Sequence, residues 1–298
     1  MNFNKTTKTI SAEVVYSFSF QGMGGNPAGV VLDAAGLRND EKQAIATQMN
    51  LSETAFLEKT DKGAYALSFY TPVRPIENCG HATIATFAFL RIKGIENRSS
   101  VKVVISGKEV IIHYDGSGVY MEQAAPAYTN ISDDIIRESV GALNIANDAL
   151  SEFFRPQIVD TGNRFLLLGL KSKEQLAMVK PNLDSILNIS ESENIVGFYV
   201  FSVIDDYFLA SARMFAPRYG ISEESATGMA AGPLAAVLIE KLNFTHNEFK
   251  IGQGEFMTPP SPSEIKIRSD LYESKIKKIL VGGEARIAES RLITYETV

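Results

Sequence analysis

The sequence predicts an α+β protein of two pseudosymmetric lobes, each a sheet wrapped around one buried helix. Three observations predict it. Helical and extended patterns alternate, without the strict strand–helix rhythm of a doubly wound sheet. The stretches HATIATFAFLRIKG (81–94) and GMAAGPLAAVL (228–238) are apolar nearly all round, as a helix enclosed by its own domain must be. The second half also repeats the first. GNPAGVVL (25–32) answers GNRFLLLG (162–169), LSFYTP (67–72) answers ARMFAP (212–217), and GHATIATFAFL (80–90) answers GMAAGPLAAVL. Each half has a Gly-Asn entry, a strand ending aromatic-x-Pro, a short loop and a buried helix opened by glycine. Three matched pairs in one order imply a duplication.

In chain order, EVVYSFSF (13–20) reads as a strand. Gly22 to Gly29 is glycine-rich but is no dinucleotide fingerprint, because a proline interrupts it and a strand follows. It is a turn, in which Asn26 can donate to a ligand. LRNDEKQAIATQMN (37–50) is an amphipathic helix, and YALSFY (65–70) alternates as a strand. Residues 101–123 read as three short strands with turns at Ser106-Gly107 and Asp115-Gly116. SDDIIRESVG (132–141) begins on a capping serine and stops at glycine, which makes it a helix. EQAAPAYTN (122–130) reads as a linker. The lobes are therefore placed at 1–125 and 126–298, with the last strand free to cross back to the first lobe.

The chain has 298 residues, of which 45% are apolar, so real cores can form. A net charge of −6 gives no basic surface, so nucleic acid is not an expected partner. One cysteine precludes an internal disulfide framework and fits a reducing cytosol. The N-terminus shows no signal-peptide core, and no apolar run approaches the roughly eighteen residues of a membrane helix. A cytoplasmic protein with no membrane partner is expected.

The chemistry-bearing residues are few. ENCGHAT (77–83) holds the one cysteine, Cys79, and one of three histidines, His81. Side chains two apart on a helix do not face each other, so this spacing gives no nucleophile–base pair. A metal site takes three or four ligands. The other histidines, His113 and His246, fall in an apparent strand and in a polar loop, so no metal is expected. Cys79 reads as a small buried residue, and His81 as a hydrogen-bonding ring at a buried helix start. In LSETAFL (51–57), Glu53 sits among apolar and hydroxyl residues. It is either an edge-strand residue in water or a carboxylate in an apolar pocket, its pKa raised, able to act as acid and base. Glu223 and Glu224 precede the second buried helix, either complementing its dipole or anchoring a substrate ammonium group. Both buried helices open at a glycine. With the lobes related by a pseudo-twofold axis, their free N–H groups would face one cleft and hold a carboxylate.

Five ordered motifs cover nearly the whole chain: GNPAGVV (25–31), SETAF (52–56), FYTPVRPIENCGHAT (69–83), EESATGMAAGPLA (223–235) and QGEFMTPPS (253–261). Through them the chain resembles the phenazine biosynthesis PhzF-like family of isomerases, which shares the diaminopimelate epimerase fold. The resemblance implies that each lobe is an open β-barrel around its central helix. It also implies no metal or organic cofactor, a small carboxylate substrate and a homodimer. It places the catalytic glutamate on Glu53 and a substrate-holding histidine on His81. Asn26, Gly80, Glu224, Thr227, Gly228 and Met229 fall on substrate-binding positions. The family usually reads Asp-Pro-Ala-Thr-Gly-Ser where this chain reads Glu224-Ser225-Ala226-Thr227-Gly228-Met229. Cys79 matches one of the two facing cysteines of the related epimerases. There is no second cysteine, so a two-cysteine racemase is excluded. The expectation is a cofactor-independent isomerase with Glu53 as acid and base. The alternatives are an epimerase using Glu53 and Cys79, or a metabolite-binding homologue without chemistry.

Overall fold

A computed structural model of the protein describes residues 6–59, 64–204, 206–243, 247–272 and 275–297. The first elements are β1 (Thr6–Ser17), β2 (Asn26–Val31), α1 (Asn39–Met49), β3 (Thr54–Lys59), β4 (Tyr65–Tyr70), β5 (Pro75–Ile76), α2 (Gly80–Ile92), β6 (Ser100–Ile105), β7 (Lys108–Asp115) and β8 (Gly118–Gln123). Then follow β9 (Ala127–Asn130), α3 (Asp133–Ala142), β10 (Gln157–Asp160), β11 (Arg164–Leu170), α4 (Lys173–Met178), α5 (Leu183–Ser192), β12 (Gly197–Val203) and β13 (Ala210–Ala216). The chain ends with β14 (Ile221–Glu224), α6 (Gly228–Lys241), β15 (Glu248–Gln253), β16 (Ser263–Tyr272), β17 (Lys275–Gly283) and β18 (Ala285–Thr297).

The chain forms two compact units, residues 1–121 with 283–298, and residues 122–282. The first ladder runs β18–β1–β2–β3–β4–β6–β7–β8, with β2/β3 and β4/β6 parallel and the other pairs antiparallel. The second runs β9–β10–β11–β12–β13–β15–β16–β17, with β11/β12 and β13/β15 parallel and the rest antiparallel. The two orders are the same, so the duplication seen in the sequence is a duplication of topology. A parallel pair needs a long crossover. In each unit the buried helix is that crossover, α2 between β4 and β6 and α6 between β13 and β15.

The boundary lies a few residues before 125, and β18 belongs to the first unit. It zips along all of β1, from Thr6 opposite Thr297 to Ser17 opposite Ala285. In the second unit β9 lies on β10 in the same place. An uncovered β1 would expose a row of unpaired backbone groups. Residues 122–130 are accordingly no linker: 127–130 form β9. All four of its side chains are exposed, so the strand carries no alternation for the sequence to show.

Burial of α2 runs without interruption from Gly80 to Leu90. It packs on β1, β2, β3 and β18. Each fully buried large side chain on it, such as Ile84 or Phe87, contributes about 1.5–3 kcal/mol. Its polar residues stay satisfied because Thr83 and Thr86 donate to the carbonyls of Cys79 (2.7 Å) and Ala82 (2.8 Å). The turn predicted at Ser106-Gly107 is present, both residues having positive φ (47° and 77°), whereas the one expected at Asp115-Gly116 falls one residue later, at Gly116 and Ser117, because Asp115 still pairs with Gly118. The strand expected at 13–20 stops at Ser17, because Phe18 turns into the left-handed region (φ 59°). The helix after Ser132 passes through Gly141 to Ala142, and Asn144 (φ 51°) takes the left-handed position instead. Among the described residues no helix is long and apolar enough to cross a membrane.

Candidate active site

Glu53 is the residue just before β3. Its carbonyl accepts from the N–H of Gly29 on β2 (2.9 Å). Gly29 lies opposite Thr54, where an added Cβ would sit 2.6 Å from Thr54 Oγ1. Only glycine lets β2 come this close beside Glu53. The same parallel register puts Asn26 and Glu53 at one end of the strand pair. Asn26 is buried at the start of β2, after a turn in which Gly22, Gly24 and Gly25 all have positive φ.

The start of α2 meets Glu53. His81 Nε2 is 3.2 Å from Glu53 Oε2, and both residues are buried (5% and 7% exposed). The pair stands at ion-pair distance, yet Oε2 receives no well-directed hydrogen bond. Cys79 comes to the same place. Its Sγ is 3.5 Å from His81 Nδ1 and 3.9 Å from Nε2. Spacing alone had spoken against this contact. The rule for residues two apart holds inside a helix, whereas Cys79 is the residue before the helix, in an extended conformation (φ −152°, ψ 112°). Its thiol therefore turns back over His81. His113 lies on β7, in a ladder of the same unit, and His246 lies outside the described residues.

The electrostatics correct a second expectation. Burial does push the Glu53 carboxyl up, and it is the largest single influence. The opposing influences together outweigh it: the charge of a protonated His81, its hydrogen-bonding contact, and Ser52. Glu53 is therefore held below the usual carboxylate range, not above it, and is ionised. Burial pushes the Cys79 thiol up, with Glu53 adding to the rise and His81 opposing it. The cysteine is a neutral thiol. The N-terminus of α2 has no side-chain cap and no acidic residue in its first turn, so it presents positive partial charge beside these groups.

The matching position in the second unit is the start of α6. Here the two glutamates separate. Glu223 makes a two-pronged ion pair with buried Arg213 (Nε–Oε1 and Nη2–Oε2, both 2.8 Å), whose Nη1 also donates to the carbonyls of Leu176 and Val179. Glu223 is thus structural. Glu224 accepts from the Thr227 hydroxyl at the threshold of α6. Thr227 and Gly228 are buried and Met229 is half-buried. Two residues absent from the sequence-based candidates hold this turn. Gln253 is 2% exposed and uses both ends of its amide. Its Oε1 accepts from the Thr227 N–H (3.1 Å) and the Tyr199 hydroxyl (3.0 Å), and its Nε2 donates to the Glu224 carbonyl (2.7 Å) and Thr227 Oγ1 (3.1 Å). Asn163 Nδ2 reaches Met229 Sδ at 3.3 Å. The internal repeat pairs Asn26 with Asn163 and His81 with Met229, so the signal for Asn163 was present in the sequence. Like α2, α6 begins without a side-chain cap or a first-turn acid.

Comparison with known proteins bears on the family and the fold. The family model described as phenazine biosynthesis-like protein, PhzC-PhzF, matches residues 15–291. An uncharacterized isomerase of Clostridium acetobutylicum is 34% identical over 93% of this chain and 96% of its own length. A trans-2,3-dihydro-3-hydroxyanthranilate isomerase of Pseudomonas fluorescens is 29% identical over 80% of this chain and 82% of its own. The crystal structure of a Bacillus anthracis phenazine biosynthesis protein of the PhzF family superposes with a TM-score of 0.85 at 23% identity, covering 96% of this chain and 99% of that one.

Proposed function

This chain belongs to the phenazine biosynthesis-like family, and we propose that it is a cofactor-independent isomerase that moves a proton within a small carboxylate-bearing metabolite. The observation that carries this reading is Glu53, a buried, ionised carboxylate whose Oε2 lacks a well-directed hydrogen bond beside His81 and the uncapped start of α2. The His81 contact at 3.2 Å holds the charge of this oxygen without a well-directed hydrogen bond, which leaves Oε2 able to accept a substrate proton. Oε2 takes a proton from a carbon acidified by conjugation, becoming a carboxylic acid. It then returns the same proton to another carbon of the same conjugated system. One carboxylate performs both steps when water is kept out. The N–H groups at Gly80 and the next residues of α2 hold the substrate carboxylate and the developing negative charge, and His81 steadies the pair.

The neutral thiol of Cys79 is not a base in this scheme. Cys79→Ala is expected to keep turnover within a few-fold of wild type. An epimerase using Glu53 and Cys79 as its two bases would instead lose roughly a hundredfold or more. Steady-state kinetics of the folded variant separates the two.

The start of α6 is the proposed specificity element. Methionine cannot give the hydrogen bond of the serine that relatives usually carry at 229, and Glu224 reaches about one carbon further than aspartate. The Pseudomonas fluorescens relative is named for trans-2,3-dihydro-3-hydroxyanthranilate. That compound is expected to be a weak substrate here, with a slimmer, less hydroxylated acid preferred. In the double variant Glu224→Asp, Met229→Ser its kcat/KM should rise. Efficient wild-type turnover, unchanged or reduced in the double variant, would show that these positions do not set specificity. The reading as a whole is tested by following substrate protons in heavy water by NMR, using carboxylates that raise the melting temperature of the protein. A ligand that saturates the wild type without moving any carbon-bound proton would favour a binding protein.

A further inference from the structure

We infer that Glu53, Cys79 and His81 form a binding site for one thiophilic divalent cation of the zinc class. Their three donor atoms lie within 4.8 Å of one another, and all three residues are buried. Carboxylate, thiolate and imidazole together are a donor set suited to zinc. In a tetrahedral site, bonds of about 2.0 Å to nitrogen and oxygen and about 2.3 Å to sulfur separate N from O by roughly 3.3 Å and N from S by roughly 3.5 Å. The observed separations from His81 Nε2 are 3.2 Å to Glu53 Oε2 and 3.9 Å to Cys79 Sγ. The first needs almost no adjustment; the thiol, which lies nearer to Nδ1 (3.5 Å) than to Nε2, must swing to the Nε2 side and toward the carboxylate, from which it is at most 4.8 Å away. Two independent features point to a ligand here. One is the convergence of three donors from two segments 26 positions apart in sequence, Glu53 to Cys79. The other is Glu53 Oε2, a buried acceptor with no well-directed hydrogen bond.

Binding releases two protons to solvent, one from the thiol and one from the Nε2 of His81, and the cation takes one lone pair each from the thiolate, the carboxylate and the now neutral imidazole. A consequence follows that rests on the role proposed for Glu53. The cation occupies the oxygen that would accept the substrate proton, so the loaded protein is inactive. Cys79, dispensable for proton transfer, would then be what makes the site sensitive to zinc.

The experiment uses the full chain and metal alone. Cobalt(II) is added to the purified protein and the near-ultraviolet thiolate-to-cobalt charge-transfer band is recorded, and zinc chloride is titrated calorimetrically. The expected result is one zinc per chain, a thiolate band with cobalt, and affinity weakened at least tenfold to a hundredfold in Cys79→Ala, with loss of the band. Glu53→Gln, nearly the same shape, should weaken zinc while keeping a thiolate band. It serves as the second variant if Cys79→Ala fails to fold. Zinc affinity equal in wild type and both variants, or cobalt bound without a thiolate band, would overturn the site. A thiolate band accompanied by undiminished turnover would leave the site standing and overturn Glu53 as the base.

Discussion

Replacing Glu53 with glutamine is expected to abolish proton movement in the substrate while leaving the protein folded and able to bind ligand. The loss should be at least a hundredfold, the usual contribution of a positioned acid–base group. Glutamine keeps the shape of glutamate and its contacts with the surrounding strand ends. What it removes is the ionised oxygen. Loss of one partner from a buried ion pair is often severe because the other charge is stranded. Here the partner is an imidazole, which can stay neutral, unlike a guanidinium. The variant should therefore melt within a few degrees of wild type. Thermal melts, ligand-induced shifts and exchange of substrate protons give the three readouts. Exchange at near wild-type rate in a folded Glu53→Gln protein would show that the base lies elsewhere.

The second large effect is expected at Gln253, through stability and not through chemistry. Gln253→Leu keeps the approximate volume and removes the amide that joins β15 to the entry of α6. The Thr227 N–H, the Glu224 carbonyl and the Tyr199 hydroxyl lose their partner together. Each unsatisfied buried group costs about 1–3 kcal/mol. The variant should lose on the order of 3 kcal/mol or more, which for a unit of this size lowers the melting temperature by about 10 °C. Tyr199→Phe removes only one of these bonds and should cost about 1 kcal/mol. Glu223→Gln, which weakens the buried pair with Arg213, tests a different anchor of the same turn. A Gln253→Leu protein that melts with wild type would show that the network is dispensable.

The sequence carries the frame of the molecule and only part of its site. The repeat and the two buried helices are readable, because apolar pattern and motif order are local, and the motifs name Glu53 and His81, which the fold brings within 3.2 Å of each other. What fails is convergence. Cys79 and His81 meet because Cys79 is extended just outside α2, a backbone detail that residue spacing cannot supply. Glu53 joins them from the residue just before β3, so three groups meet that no local pattern connects. The direction of the Glu53 pKa fails for the same reason: burial is legible from apolar neighbours, but the opposing charge sits on a different element. Gln253 opens the motif QGEFMTPPS, yet nothing local shows that both ends of its amide are used. β9 was passed over because a short strand with every side chain exposed looks like a linker.

The central claim is that Glu53 carries one proton from carbon to carbon within a single substrate molecule. It is tested most directly by a substrate deuterated at the donor carbon, turned over in ordinary water and examined by NMR at early conversion. Deuterium is expected at the acceptor carbon of the same molecule in a substantial fraction of product, with no inversion at the donor carbon. Complete washout of the label with inversion at the donor carbon would contradict it and identify a two-base epimerase.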